Sequence, residues 1–223
     1  MTALSPTIQP FGDSALLITF GEVIDVALNA RVHALAAAVQ TRRNAGDARW
    51  GVPVPAYSTL LAPYDAGAAT YPIMLADIEK ILRTGESGGA PPGGNETVEI
   101  AVRYGGADGP DLEEVAATKG LSPAELVALH TGTLYRVFML GFAPGFAYLG
   151  PLPPELITSR RATPRPRVPA GSVAIAGTQT GVYPLATPGG WNLIGRTDAA
   201  LWDPTHDPPT LLRPGQLVRF VPR

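Results

Sequence analysis

After Leu134 glycine and proline interrupt the chain every few residues, and only short strands fit between the interruptions. From Leu134 to Leu140 the residues alternate with period two, Tyr135, Val137 and Met139 against Leu134, Arg136, Phe138 and Leu140, the mark of a half-buried strand. Further short strands follow through Leu211-Leu212, the Pro214-Gly215 turn and Leu217 to Val221. This spacing favours a closed β-barrel over a parallel α/β sheet.

The first interruption is also the most specific. Pro144-Gly145 stands between Phe142 and Phe146; proline presets φ at the second position of a turn and glycine accepts the positive φ of the third, so a type II turn and a stiff aromatic loop are expected. Arg160, Arg161, Arg165 and Arg167 follow, and no acidic residue occurs from Ser159 to Thr197. Planar guanidinium groups pair with carboxylate or phosphate oxygens, so this stretch suits a small anionic ligand. The alternative is a barrel whose turns need glycine and proline and whose arginines are simply solvated.

With 223 residues, 45% of them hydrophobic, the chain can build one large or two small domains with an adequate core. It has no cysteine, which excludes disulfides, thiolate catalysis and cysteine-ligated zinc, and its three histidines are too scattered to suggest any protein-bound metal site. Met1 to Pro10 has neither a basic nor a long apolar region, and no stretch is apolar over a bilayer's width, so a cytoplasmic protein without membrane contact is expected. Charge divides unevenly: residues 1–129 hold eight Lys or Arg against fifteen acids, residues 130–223 nine Arg against four. The basic half carries the motifs, which suits an anionic ligand or an acidic partner surface. Its arginines lie among prolines and glycines with no lysine-rich stripe, so nucleic acid is not an expected partner.

The N-terminal half reads as alternating elements. Phe11 to Gly21 predicts a strand; Asp25 caps a helix whose Leu28, Val32, Leu35 and Val39 form one stripe, with Arg42-Arg43 near its end. Trp50 to Ala56 and Tyr57 to Tyr64 predict two strands, Pro72 opens a second helix with Met74, Ile78, Ile81 and Leu82 on one face, and Thr97 to Tyr104 is again extended. The order β-α-β-β-α-β predicts a small ferredoxin-like α/β sandwich, with the last strand open to assignment to the next domain. The expected organisation is therefore α+β: residues 1–85, a Gly/Pro-rich linker at 86–96, and a barrel domain over 97–223. Asp111 with Glu114, and Ser122 with Pro123 and Glu125, match two capping boxes separated by Gly120, and the second helix places His130 in its last turn. A helix C-terminus favours a protonated histidine, so His130 is read either as a dipole-stabilised capping group or as an acid or base.

Three chemistries fail on the sequence. Gly190 to Thr197 comes near a phosphate-loop pattern, but Trp191, Leu193 and Ile194 do not suit a backbone wrapped around phosphates. Ser172 lies in Ala170-Gly171-Ser172-Val173, not in a nucleophile elbow. Scattered histidines leave no metal hydrolase.

The segments Tyr135 to Gly150, Arg160-Arg161 with Pro164-Arg165, Val168 to Val173, Ala176 to Pro184, Pro188 to Trp191 and Ile194 to Thr197, together with His130, resemble the bacterial 5-oxoprolinase B-subunit family, also called the KipI family or allophanate hydrolase subunit 1. Gly12 to Leu16, Pro55 to Leu61, Tyr104 to Gly106 and Pro110 to Glu113 resemble its earlier blocks, so the resemblance covers nearly the whole chain. Thr187, where the family usually has Ser, and Thr158-Ser159, where it usually has Leu-Pro, are the departures. The resemblance implies a C-terminal cyclophilin-like β-barrel, partners in the C (KipA-like) and A subunits of 5-oxoprolinase, and opening of 5-oxoproline to L-glutamate with ATP, whose Mg2+ comes with the nucleotide. The family also implies an alternative, an inhibitor that docks on a sensor histidine kinase.

A lactam carbonyl is resonance-stabilised, and phosphorylating its oxygen turns that oxygen into a leaving group, so charge stabilisation is the chemistry required. On that basis Arg160, Arg161 and Arg165 are the candidate anion contacts, with Arg161 and His130 the candidate catalytic groups. Thr178, Gln179 and Asn192 are candidate polar partners, and Phe142, Phe146 and Trp191 candidate apolar walls, unless these rings belong to the core.

Overall fold

A computed structural model of the chain describes residues 5–85 and 96–223. The chain divides into two compact units, Met1–Gly94 and Asn95–Arg223. The expected linker falls, apart from Glu96, outside the described residues.

The first unit runs β1 (Thr7–Pro10), β2 (Ala15–Thr19), α1 (Val26–Asn44), β3 (Val54–Pro55), β4 (Thr59–Pro63) and α2 (Tyr71–Thr84). Its sheet has the order β1-β2-β4-β3 with every neighbouring pair antiparallel. Asp25 caps α1 by accepting from the Leu28 N–H at 2.9 Å, and Pro72 opens α2. The faces expected from the sequence are buried: Val32, Leu35 and Val39 of α1 and Met74, Ile78 and Ile81 of α2 pack on Leu16, Ile18, Leu60 and Ala62 of the sheet. The expected β-α-β-β-α-β order is corrected here. Thr97–Tyr104 lies in the second unit, and the place beside β2 is taken by β1, a strand of polar and partly exposed residues with no apolar alternation to announce it.

The second unit begins with β5 (Thr97–Tyr104), α3 (Leu112–Thr118), α4 (Pro123–Gly132), β6 (Leu134–Leu140) and β7 (Ala147–Gly150). It continues through β8 (Arg165–Val168), β9 (Ser172–Ala176), β10 (Gln179–Val182), β11 (Thr187–Gly189), β12 (Asn192–Arg196) and β13 (Leu217–Pro222). Seven of these strands close a barrel in the order β10-β7-β6-β13-β5-β12-β9, and β9 pairs with β10 to complete it. The closed barrel expected from the glycine and proline spacing is present.

Period-two alternation sorts the barrel residues onto two faces. Ile100, Val102, Tyr135, Val137, Leu149, Val173, Ile175, Val182, Ile194 and Phe220 form the interior, capped by Leu112, Val115 and Leu126 of the two helices. The other face of β9 and β12, with Ala174, Ala176 and Leu193, is also buried, beneath Phe146, Tyr183, Trp191 and Val168. That second layer exists because the β8–β11 ribbon and the 141–146 loop cover the wall there. Among the described residues no helix is long and apolar enough to cross a membrane.

Candidate functional site

The expected type II turn is present: the Phe146 N–H donates to the Ala143 carbonyl at 3.0 Å, and Gly145 sits at φ 78°. A Cβ at Gly145 would lie 2.8 Å from the Leu201 carbonyl oxygen, so both the turn and the packing require glycine. Just before the turn, Phe142 takes φ 69°, the one left-handed backbone at a non-glycine position among the described residues. For a bulky side chain that conformation is strained, and it persists only where neighbours enforce it.

The turn aims two rings at the covered barrel wall. Phe142 meets Phe146 edge-on at 5.3 Å between centroids and Tyr183 at 6.3 Å, while Trp191 meets Phe146 at 5.6 Å and Tyr148 at 5.9 Å. These five rings and the side chains of Arg160, Arg161 and Pro164 enclose a cavity of about 190 Å³. Gly189 and Gly190 complete it, and a Cβ at Gly189 would run into the Tyr183 ring. Phe146 and Trp191 are buried, whereas Phe142 is 62% exposed at the mouth. Burial raises the pKa of the Tyr148 and Tyr183 hydroxyls above the ordinary phenol value, with the Arg160 charge opposing it. Both remain protonated donors at neutral pH.

The arginines divide into two kinds. Asp111, buried to 3% exposure, accepts through Oδ1 from Arg161 Nη1 and Arg165 Nη2, each at 2.7 Å, and through Oδ2 from the Leu193 N–H at 2.7 Å. Arg161 and Arg165 thus share one buried carboxylate, and Arg161 also lies 4.0 Å from the exposed Glu114. Arg160 is exposed, lines the cavity, and has no hydrogen bond or ion pair among the described residues. The first expected capping box is corrected by the same contacts: Asp111 precedes α3 but makes no side-chain cap, because its carboxylate turns to the arginines. The second box forms as expected, with Ser122 and Glu125 bonded reciprocally.

His130 lies in the barrel interior and does not line the cavity. The Thr180 hydroxyl donates to the Ala174 carbonyl at 3.0 Å and so accepts from His130 Nε2–H at 2.9 Å. That leaves Nδ1 to accept from the Tyr104 hydroxyl at 2.8 Å. Stacked on Phe220 at 4.6 Å and fully buried, the imidazole is held neutral, its pKa pushed down to about 3 by desolvation. The charged helix-terminal histidine expected from local sequence is therefore absent: burial outweighs the dipole.

Of the other candidates, Phe142, Phe146, Arg160, Arg161 and Trp191 meet at the cavity, and Arg165 stands behind it through Asp111. Asn192 is structural in its contacts: its amide donates to the Ser159 carbonyl at 2.8 Å and the Ile175 carbonyl at 3.3 Å, fixing the backbone just before Arg160. Thr178 lies exposed between β9 and β10, and Gln179 is buried in β10; neither lines the cavity. Gly190 to Thr197 contains strand β12, as its apolar residues required. Sequence reasoning missed Tyr148, Tyr183 and Asp111. The two tyrosines lie in segments that carry the family resemblance, Tyr148 on β7 and Tyr183 just past the end of β10, and their only local signal is an aromatic ring next to an interior residue.

The fold and cavity define a class. A family model described as carboxyltransferase domain, subdomain C and D, matches residues 6–212. Over 224 residues the chain is 44% identical to the 5-oxoprolinase B subunit of Bacillus subtilis (strain 168), covering 96% of this chain and 91% of that protein. With the 5-oxoprolinase B subunit of Escherichia coli O157:H7 it is 57% identical over 151 residues, 68% of this chain and 69% of that one. Among solved structures it is similar to TTHA0988, with a TM-score of 0.80 and 41% identity over 94% of this chain, and it spans 40% of that longer chain. The chain belongs to the 5-oxoprolinase B-subunit family.

Proposed function

We propose that the chain is one component of an ATP-dependent 5-oxoprolinase, which opens 5-oxoproline to L-glutamate together with that enzyme's C and A subunits. The observation that carries this reading is the aromatic cavity with one unpaired guanidinium, Arg160, at its wall. Such a site can bind and orient a small acid but has no nucleophile or titrating base on its lining, so the remaining groups come from partners. The near-full-length likeness to the Bacillus subtilis protein supports the substrate and the need for further subunits.

In the reaction the lactam oxygen attacks the γ-phosphorus of ATP, the bond to the departing ADP breaks, and the ring carbon becomes electrophilic. Water adds to that carbon, the ring C–N bond breaks with the nitrogen taking a proton, and a second water hydrolyses the resulting γ-glutamyl phosphate to release phosphate and glutamate. This chain's part is positional and electrostatic: aromatic walls exclude water, and phenol and guanidinium donors hold the acid.

The test is ADP release dependent on added 5-oxoproline, with the chain mixed with its cognate C and A subunits, each component omitted in turn. Turnover that needs all three is expected. Stable assembly without 5-oxoproline-dependent ADP release would sink the substrate assignment, and failure to assemble would sink the subunit reading.

A further inference from the structure

We propose that the cavity is a subsite for a small ring carboxylate, with Arg160 holding the carboxylate and Phe142 and Tyr183 bounding the ring, and that the nucleotide binds outside it. The inference rests on the oxoprolinase reading and assigns this chain one of that reaction's two substrates.

The cavity is small. It measures about 190 Å³, below the roughly 300–1,000 Å³ of sites for drug-sized ligands. A five-membered lactam acid is far smaller than a drug, whereas a nucleoside triphosphate is at least that large.

Its charge also fits a carboxylate better than a nucleotide. A triphosphate calls for several cationic or backbone donors. Arg161 and Arg165 are committed to the buried carboxylate of Asp111, through bonds of 2.7 Å that fix their geometry. Arg160 is left as the one cavity-lining cation without an ion pair among the described residues, and one guanidinium fork matches one carboxylate. The Tyr148 and Tyr183 hydroxyls, within reach of the Arg160 field, add donors of the kind a carboxylate or lactam oxygen accepts.

The mouth is shaped for a flat ring. Phe142 stands there on a left-handed backbone, 62% exposed and edge-on to both Phe146 and Tyr183. A strained, half-solvated aromatic ring has little to gain from folding alone, and as a wall for a flat ring it has a use.

The experiment is isothermal titration of the full chain, free and assembled, with 5-oxoproline, its neutral counterpart 2-pyrrolidinone, and Mg·ADP, followed by steady-state kinetics of the assembly. The expected result is 5-oxoproline binding at least about tenfold tighter than 2-pyrrolidinone, a preference lost in Arg160→Gln and partly restored in Arg160→Lys. In the assembly Arg160→Gln raises KM for 5-oxoproline by about tenfold or more with KM for ATP unchanged. Arg167→Gln, exposed and off the lining, changes neither. Equal affinity for the acid and its neutral counterpart, competition by Mg·ADP, a matching rise in KM for ATP, or no binding of the acid overturns the proposal. An assembly that releases no ADP on 5-oxoproline, while the chain still prefers the acid through Arg160, removes the oxoprolinase reading and leaves the subsite standing.

Discussion

Phe142 and His130 show opposite ways in which a single residue departs from its local preference. The left-handed backbone at Phe142 costs about 1–3 kcal/mol, and the ring's contacts with Phe146 and Tyr183 help hold it. His130 gives up its charge to fill the barrel interior with both ring nitrogens bonded. Its pKa falls from the ordinary 6.5 to about 3 on folding, so the unfolded chain takes up a proton that the folded chain refuses. Stability contributed by the neutral imidazole is therefore complete above about pH 6.5 and is lost as pH falls towards 3, at up to about 1.4 kcal/mol per unit. Urea unfolding followed between about pH 7 and pH 5 should show that slope, and His130→Gln, which retains one donor and one acceptor, should flatten it. An unchanged slope in the variant would mean that other groups set the acid sensitivity.

At the scale of elements, Asp111 matters more than any one strand. It stands at the start of α3, holds β12 through the Leu193 N–H, and clamps the segment that carries Arg161 and Arg165. Arg161 Nε and Arg165 Nη1 are already buried without a partner, so the bonds to Asp111 are what offset the desolvation of these two side chains. Asp111→Asn leaves two partly buried guanidinium groups facing a neutral amide, at an expected cost of about 2–3 kcal/mol, reduced from the fully buried case because both arginines keep some solvent contact. A lower urea midpoint with an unchanged m-value is the measurement. Stability equal to the parent would show that solvent already screens the clamp.

For the barrel as a whole, closure depends on its last strand. β13 runs parallel to β5 and antiparallel to β6, so it joins the first and second strands of the ring, and it contributes Val218 and Phe220 to the interior. Removing residues 217–223 would leave β5 and β6 with unpaired edges and open the core. Loss of near-UV dichroism and of amide protection in the 96–216 segment is expected; retained protection there would mean that six strands suffice. The barrel itself, helices α1 and α4 with their caps, α2 with its opening proline, the type II turn and the Arg-bearing stretch were all legible in the sequence. Each depends on spacings a few residues long: glycine and proline at turns, apolar stripes on helices, side chains that bond backbone three residues away. What could not be read was set by contacts distant in the chain. Asp111 looked like a cap until Arg161 and Arg165 came within 2.7 Å, and His130 looked charged until Tyr104, Thr180 and Phe220 closed around it. β1, polar and partly exposed, gave no sign of itself until it paired with β2. The sequence alone determined which local structures form and which chemical groups are available. The tertiary structure alone decided which charges are cancelled, which groups lose their solvent, and which arginine remains free to meet a ligand, because desolvation and ion pairing depend on neighbours in space and leave no periodic trace along the chain.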